Sequence, residues 1–295
     1  MTKDMKIDQT PPDPLSSVPS AAEEIPAPPL NAREEWMDFL KTAFIAVLLA
    51  LLIRTFFLEP FNIPSGSMKP TLEVGDYLFV HKPAYGYSRH SFPFSLAPID
   101  GRLMAEGRTP QRGDVVVFKL PTNTRIDYIK RLIGMPGDTI QVIDGEVYLN
   151  RKKLPREPVG LKKINEGGMT RVVHEYIQTL PEGAMFHIYE EADNKPLDNT
   201  EEFVVPPGHY FMMGDNRDNS QDSRVLNMVG YVPVENFVGR ASFIFFSTNG
   251  SASIGEIWKW PTTIRYSRLF QGIAPLRPPE AMDVTATISG HNAAP

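Results

Sequence analysis

A short segment with two serines between prolines is the first part of the sequence that could perform covalent chemistry. Residues 61–72 read Phe-Asn-Ile-Pro-Ser-Gly-Ser-Met-Lys-Pro-Thr-Leu, and the prolines and glycine predict a stiff turn that displays Ser65 and Ser67. A serine on such a turn is a candidate nucleophile, and a second hydroxyl with nearby backbone N–H groups could bind an oxyanion. The alternative is an ordinary loop leaving a helix, which the segment taken alone favours.

A serine nucleophile needs a base, and the sequence offers a lysine rather than a histidine. The six histidines are scattered, and no local motif places one beside an orienting carboxylate. Lys130 lies among apolar neighbours in residues 128–138, which predict a strand followed by a Pro-Gly turn. To act as a base near pH 7, its ammonium must be destabilised by about 4 kcal/mol, most simply through burial in an apolar site. The commoner alternative is a charged lysine on the exposed face of a strand.

A polar segment after a predicted apolar strand is the third candidate. Residues 214–224 read Gly-Asp-Asn-Arg-Asp-Asn-Ser-Gln-Asp-Ser-Arg. Their hydrogen-bonding groups and alternating charges favour a self-satisfied network, from which a hydroxyl could orient a lysine amine. A solvated loop is the alternative.

An apolar run precedes the serine segment and predicts a membrane anchor. Residues 42–53 are apolar except Thr42, and residues 55–58 extend the run beyond Arg54. At 1.5 Å per residue, residues 42–58 reach about 25 Å, slightly short of a ~30 Å hydrocarbon core. Trp36, Lys41 and Arg54 could anchor the ends at the interfaces. A core helix or a cleaved secretory signal fits less well, because the run has no polar face and follows a long acidic, proline-rich stretch.

Beyond residue 59 the pattern predicts a mainly β domain. Asp144-Gly145 favours a type I′ hairpin turn within residues 142–147, and no long segment shows helical periodicity. The polar residues 150–205 predict an excursion from the main barrel or sandwich. The other predicted strands are 76–80, 114–118, 127–133, 171–177, 185–189, 202–205, 210–213 and 237–246.

Composition limits the other functions. The net charge of −5 over 295 residues gives no basic field, so nucleic acid is not an expected partner. The absence of cysteine excludes disulfides, thiolate metal ligands and a cysteine nucleophile. The histidines form no HxxxH or HExxH pair, so we expect neither a metal nor a cofactor. Seven prolines between Pro11 and Pro29 predict a disordered tail over residues 1–30.

Taken together, the three segments closely resemble the conserved boxes of bacterial type I signal peptidases. The matching stretches are 64–68, 128–138 and 214–224, and residues 112–118 resemble the family strand between the serine and the lysine. They occur in the family order behind an N-terminal apolar helix, and the similarity spans about residues 40–248. The resemblance implies a Ser/Lys serine endopeptidase with a mainly antiparallel β-sheet, barrel-like fold and a β-ribbon excursion, preceded by one transmembrane helix.

The resemblance also implies roles for individual residues. Ser67 would be the nucleophile, and Lys130 the general base and later the general acid. Ser220 would hydrogen-bond the lysine amine, and Asp222 would brace that loop together with Arg224.

Substrate recognition follows from the same resemblance. The Ser65 hydroxyl and the Ser67 backbone N–H would form an oxyanion hole. Small pockets for substrate positions −1 and −3 would explain an Ala-x-Ala preference, because large side chains would clash. The residues implied to line these pockets are Phe61, Ile63, Pro64 and Ile129.

The implied location is the bacterial inner membrane, with the signal-peptide C-regions of exported preproteins and the lipid bilayer as partners. The expected domains are a disordered, proline-rich cytoplasmic tail (1–36), a transmembrane helix (37–58), a periplasmic catalytic domain (59–272) with the ribbon excursion (150–205), and a flexible C-terminal tail (273–295). Charge counting alone does not fix this orientation. The best-studied members have two membrane spans, whereas this sequence shows one convincing span.

Three alternatives stay open or are weaker. A dedicated peptidase of the same clan would serve one secretion system, and a membrane-tethered β adaptor would bind peptides without cleaving them. An adaptor has no physical need for Ser67, Lys130 and Ser220 together. Self-cleaving repressors also use a Ser/Lys dyad, but they require a DNA-binding domain, and the N-terminal segment has no helix-turn-helix pattern.

The segment with Trp258 and Trp260 is either packed on the domain or in contact with lipid headgroups.

Overall fold

The computed structural model describes residues 32–92, 98–103, 109–166, 168–250 and 256–276. Nearly all of the predicted N-terminal tail and residues 277–295 of the predicted C-terminal tail lie outside the described residues. The chain divides into two units, Met1–Leu48 and Leu49–Pro295, and the functional residues predicted above all belong to the second.

The apolar run forms a helix, α1, which spans Ala32–Phe56. Its stretch Glu35–Phe56 has a mean hydropathy of 2.0 and no buried residue, and among the described residues it is the one helix apolar and long enough to cross a membrane. The large apolar side chains of α1 are exposed, as shown by Phe44 at 68%. The helix ends before the predicted boundary at residue 58, because Leu58 already pairs as a strand residue with His81.

The second unit is mainly antiparallel β structure, which confirms the predicted fold class. The described strands form a seven-stranded sheet in the order β1-β2-β16-β5-β6-β14-β15, and smaller sheets in the orders β10-β11-β12, β13-β7-β8-β9 and β3-β4. The strands are β1 (Leu58–Asn62), β2 (Asp76–His81), β3 (Tyr87–Ser88), β4 (Arg102–Leu103), β5 (Val115–Leu120), β6 (Asn123–Gly134), β7 (Thr139–Ile143), β8 (Glu146–Leu149), β9 (Lys152–Lys153), β10 (Arg156–Glu166), β11 (Met169–Thr179), β12 (Met185–Glu190), β13 (Phe203–Val204), β14 (His209–Met213), β15 (Val232–Pro233) and β16 (Phe237–Ser247), and a short helix α2 covers Trp260–Thr263.

Turn chemistry and polarity explain the excursion. Asp144 and Gly145 have φ angles of 49° and 75°, the left-handed pair that a type I′ turn requires, so β7 and β8 form the predicted hairpin. Strands β10 and β11 then pair along their whole length as a long ribbon. Most of the outer ribbon is solvated, in agreement with its polar sequence.

Alternation along β5 places apolar side chains on both faces of the large sheet. Val115 and Val117 enter one core cluster, whereas Val116 enters the cluster on the opposite face. The first cluster also contains Met68 and Leu72, each with no exposed surface. These two side chains fix the serine turn to the rigid part of the sheet.

The C-terminal segment packs on the domain through a buried carboxylate. Arg268 donates to both oxygens of Asp76, which is fully buried, and Arg265 lies 3.6 Å from the same carboxylate. Trp258 remains 71% exposed. The predicted flexible tail over 273–295 begins too early, because Ile273 is only 3% exposed and its N–H donates to a carbonyl of β16.

Candidate active site

Ser67 and Lys130 meet in a buried position of the second unit. Lys130 Nζ lies 2.7 Å from Ser67 Oγ, although 63 residues separate them in the chain. Ser67 is 8% exposed and Lys130 is 3% exposed. The turn that carries the serine is anchored in the apolar core, and the lysine lies on β6, which pairs with β5 and β14 in the large sheet. Both groups are therefore positioned by rigid elements.

The surroundings of Lys130 favour the neutral amine. Burial lowers its pKa from 10.5 to about 8, although the nearby carboxylates of Asp222 and Asp215 oppose this effect. The amine also donates to the Ile129 carbonyl at 2.9 Å and lies 5.3 Å from the centroid of the Tyr128 ring. A lysine with these properties is neutral often enough near pH 8 to accept a proton from the adjacent serine hydroxyl.

The loop 214–224 is a buried network rather than a solvated segment. Arg224 donates to both oxygens of Asp222 at 2.9 Å, and the Gly214 N–H donates to the same carboxylate at 3.0 Å. Although burial opposes ionisation, Arg224 and these hydrogen bonds hold the pKa of the Asp222 carboxyl below its usual range. Arg224 also donates to the Arg217 carbonyl at 2.6 Å, so this ion pair closes the loop on itself.

Ser220 does not make the expected hydrogen bond to the lysine. Its Oγ is buried, and the amine of Lys130 donates to Ser67 and Ile129 instead. Ser220 instead packs against Gly214. A Cβ atom at Gly214 would lie 2.1 Å from Ser220 Oγ and 2.6 Å from the Ser67 carbonyl oxygen, so only glycine fits between them.

A second buried ion pair lies on the opposite face of β6, where sequence analysis assigned no role. Successive strand residues point to opposite faces, so Arg131 points away from the neighbouring Lys130. Arg131 donates to both oxygens of Asp215 at 2.8 and 2.6 Å, and its guanidinium lies 4.1 Å from the centroid of the Phe186 ring. Thr71 also donates to Asp215, at 2.5 Å. The only sequence signal for this ion pair was a basic residue in one motif, Arg131, and an acidic residue in another, Asp215. Which residues pair depends on the fold.

The four predicted pocket residues line one cleft. It has a volume of about 370 Å³ and lies between β1 with its following residues and β6. Its lining is partly apolar, and Arg54, Glu59, Asn62 and Asp127 add charged and polar groups. Because Ile129 precedes the lysine and Pro64 lies on the serine turn, the cleft borders the segments that carry the dyad. The predicted residues that it brings together are Phe61, Ile63, Pro64 and Ile129.

Ser65 lies beside the nucleophile candidate. Its Oγ is 3.4 Å from Ser67 Oγ, and its side chain is exposed, unlike that of Ser67. This distance is long for an O–H···O bond, so the Ser65 hydroxyl is available to another acceptor. Among the described residues, no group of three or more His, Cys, Asp or Glu side chains could hold a metal ion.

Comparison with known proteins identifies the family. A family model described as "Signal peptidase, peptidase S26" matches residues 36–246. The signal peptidase I of Rickettsia conorii (strain ATCC VR-613 / Malish 7) is 43% identical over 260 residues, covering 82% of this chain and 94% of the relative. That of Rickettsia felis (strain ATCC VR-1525 / URRWXCal2) is 42% identical with the same coverage. A crystal structure of a signal peptidase I from Enterococcus faecalis V583 is 26% identical, covers 45% of this chain and 96% of its own, and has a TM-score of 0.26.

With a match of this extent and with relatives at this identity, the chain belongs to the signal peptidase family, peptidase S26. Membership makes it a serine endopeptidase of the signal peptidase I type. The expected family is thereby confirmed.

Proposed function

We propose that this protein removes signal peptides from exported preproteins with Ser67 as nucleophile and Lys130 as general base. The observation that carries the proposal is the 2.7 Å separation between Ser67 Oγ and an amine whose pKa burial lowers to about 8. A serine hydroxyl is a weak nucleophile by itself, and a neutral amine within hydrogen-bond distance is positioned to take its proton as attack begins.

The proposed reaction passes through an acyl-enzyme. Ser67 Oγ attacks the carbonyl carbon of substrate position −1, and its proton moves to Lys130 Nζ. The ammonium then gives this proton to the amine of the departing mature chain, which leaves the signal peptide esterified to the serine. Lys130 next takes a proton from water, the hydroxide attacks the ester, and the proton returns to Ser67 Oγ as the ester bond breaks.

Supporting roles follow from positions beside the dyad. We assign the exposed Ser65 hydroxyl and the Ser67 N–H to the oxyanion, because both lie next to the attacking oxygen. The Asp222–Arg224 pair keeps the loop folded over the lysine. Ser220 supports the same loop through its packing on Gly214.

The preference for small residues at positions −1 and −3 is taken from the family, and the cleft is compatible with it. Ile63 and Ile129 are buried or half-buried beside the dyad, so they offer apolar surface to substrate side chains. A small subsite rejects longer side chains by steric clash. The proposed substrates are therefore preproteins that end their signal peptides in Ala-x-Ala.

Membrane attachment is the second part of the proposal. The exposed apolar side chains of α1 need a non-aqueous environment, and a stretch from Glu35 to Phe56 is long enough to span a bilayer. We propose a single-pass protein in the inner membrane, with residues before α1 in the cytoplasm and residues 58–276 as a periplasmic catalytic domain. Protease added to spheroplasts should then degrade the catalytic domain and leave the N-terminal segment protected.

Cleavage of a preprotein by the detergent-solubilised full chain tests the chemistry. We expect wild type to cleave after the Ala-x-Ala site, and both Ser67→Ala and Lys130→Arg to be inactive, because arginine keeps the size and charge of a cation but stays protonated. Lys162→Met is the matched control, since that lysine is 53% exposed on the ribbon. Substantial cleavage by Lys130→Arg would sink the base assignment. Turnover of only one among several unrelated preproteins would instead indicate a peptidase dedicated to one secretion system.

A further inference from the structure

One asparagine ties the serine turn to the loop that lies over the lysine. Asn216 Nδ2 donates to the Gly66 carbonyl at 3.0 Å, and the Asn216 backbone N–H donates to the Ser67 carbonyl at 3.1 Å. Asn216 is only 1% exposed, so water does not compete for either bond. The two contacts cross 150 residues of sequence and join segments that hold opposite halves of the candidate site.

These two carbonyls have a particular relation to the nucleophile. The Gly66 carbonyl belongs to the peptide unit before the Cα of Ser67, and the Ser67 carbonyl belongs to the unit after it. Each peptide unit is planar, so fixing both units fixes the φ and ψ angles of Ser67 and thereby the direction of its Cα–Cβ bond. Asn216 therefore determines where Ser67 Oγ can lie relative to the amine of Lys130.

The hydrogen bond of the Asn216 side chain is tertiary and not local. Asn216 occupies the N-cap position of the 3₁₀ turn Arg217–Asn219, where an asparagine oxygen often accepts from the first turn, yet its side chain makes no capping bond. Its amide nitrogen instead donates to the Gly66 carbonyl, 150 residues away in the chain.

The other side of Asn216 is held by a neighbouring strand. The Asp218 carboxylate accepts from the N–H groups of Glu191 and Ala192 at 2.6 and 3.2 Å, just beyond β12. The Tyr189 N–H donates to the Asp215 carbonyl at 2.8 Å. These hydrogen bonds fix the loop on β12, and the two hydrogen bonds of Asn216 hold the serine turn against that loop.

We propose that Asn216 is a positioning residue for the nucleophile, a role that rests on the proposed Ser/Lys mechanism. It contacts neither the substrate nor the reacting atoms, and it acts by holding both peptide units that flank Ser67. A displacement of about 1 Å between reacting groups costs roughly 100-fold in rate, so loss of the amide contact should slow the chemical step. The cleft residues on β1 and β6 do not depend on this contact, so substrate binding should be retained.

Steady-state kinetics of Asn216→Ala and Asn216→Asp in the full-length, detergent-solubilised protein test the role. We expect kcat to fall about 100-fold in both variants while KM stays within about threefold of wild type. Asn216→Asp should not recover activity, because a carboxylate keeps the shape but cannot donate to the Gly66 carbonyl. Rates are compared well below the melting temperature of each variant, so that the folded fraction does not limit them.

Asn236→Ala is the matched control. Asn236 is 6% exposed, and its Nδ2 donates to the Lys119 carbonyl at 2.8 Å, so this variant removes a comparable buried amide–carbonyl bond away from the dyad. We expect its kcat and KM to stay within about threefold of wild type. An equal fall in kcat in the control, or a wild-type kcat in Asn216→Ala, would overturn the positioning role.

Ser67→Ala and Lys130→Met, measured in parallel, distinguish a failure of the Ser/Lys mechanism from a failure of the positioning role. If both are inactive while Asn216→Ala has wild-type kinetics, only the positioning role fails. If Lys130→Met is active, the proposed mechanism fails and the positioning role fails with it.

Discussion

The buried amine of Lys130 predicts that activity rises with pH in a defined window. Burial lowers its pKa from 10.5 to about 8, so about a tenth of the amine is neutral at pH 7 and about nine tenths at pH 9. If the neutral amine is the base, kcat/KM should increase roughly tenfold between these two pH values, with unit slope on the acid side. A peptide blocked at both termini keeps substrate titration out of this window, because the scissile amide itself has no titratable group.

The same group should make stability depend on pH. Its folded pKa lies below its unfolded value, so the unfolded chain binds more protons between about pH 8 and pH 10.5. The free energy of unfolding therefore rises with pH across this window, and this gain is lost as the pH falls from about 10.5 to about 8. A pKa difference of this size is worth about 3 kcal/mol. Lys130→Met removes the dependence, so its stability relative to wild type should fall by about 3 kcal/mol between pH 7 and pH 11.

Two measurements in detergent check both statements. The first is kcat/KM for an Ala-x-Ala peptide between pH 6 and pH 10, and the second is urea denaturation of wild type, Lys130→Met and Lys162→Met across the same range extended to pH 11. Lys162→Met serves as the control, because that lysine is 53% exposed on the ribbon. An acid limb with its midpoint below pH 7 or above pH 10 would refute the reasoning, as would a Lys130→Met stability difference that does not change with pH.

Three further substitutions test the site. Gly214→Ala should abolish cleavage, because the added methyl would lie 2.1 Å from a hydroxyl oxygen, whereas Gly272→Ala, with nothing within 4 Å, should cleave like wild type in the same assay. Arg131→Met should lower the free energy of unfolding by about 3–5 kcal/mol, because it leaves the buried Asp215 carboxylate without its partner. Arg89→Met breaks an exposed ion pair and should cost at most about 1 kcal/mol. Equal losses for the two variants in urea denaturation would contradict this. Ile129→Ala should raise kcat/KM for a substrate with Leu at −1, relative to Ala, by about tenfold; an unchanged ratio would remove Ile129 from the pocket.

Local patterns were sufficient for most elements of the fold. Uninterrupted hydropathy predicted α1, and runs of β-branched, aromatic and other apolar residues predicted β5 and β14. Asp144-Gly145 predicted a hairpin turn, because these two residue types readily adopt left-handed φ angles. The strand β1 was missed, since Leu58 belongs to the apolar run and Glu59, Pro60 and Asn62 carry little strand signal; only the pairing with β2 identifies it. The ribbon strand β10 was also missed, because its polar sequence carries little strand signal.

The sequence by itself determined the candidate chemistry: a serine on a stiff turn, a lysine on an apolar strand and a polar loop, in the order of the signal peptidase family. Only the tertiary structure decided their partners. It placed Ser67 against Lys130, joined Asn216 to the serine turn, and directed Arg268 to the buried Asp76 instead of to solvent. The physical reason is that side-chain type and local pattern are encoded residue by residue. A hydrogen bond across 60 to 190 residues depends instead on strand register and on what burial leaves available, and both are set by the whole fold.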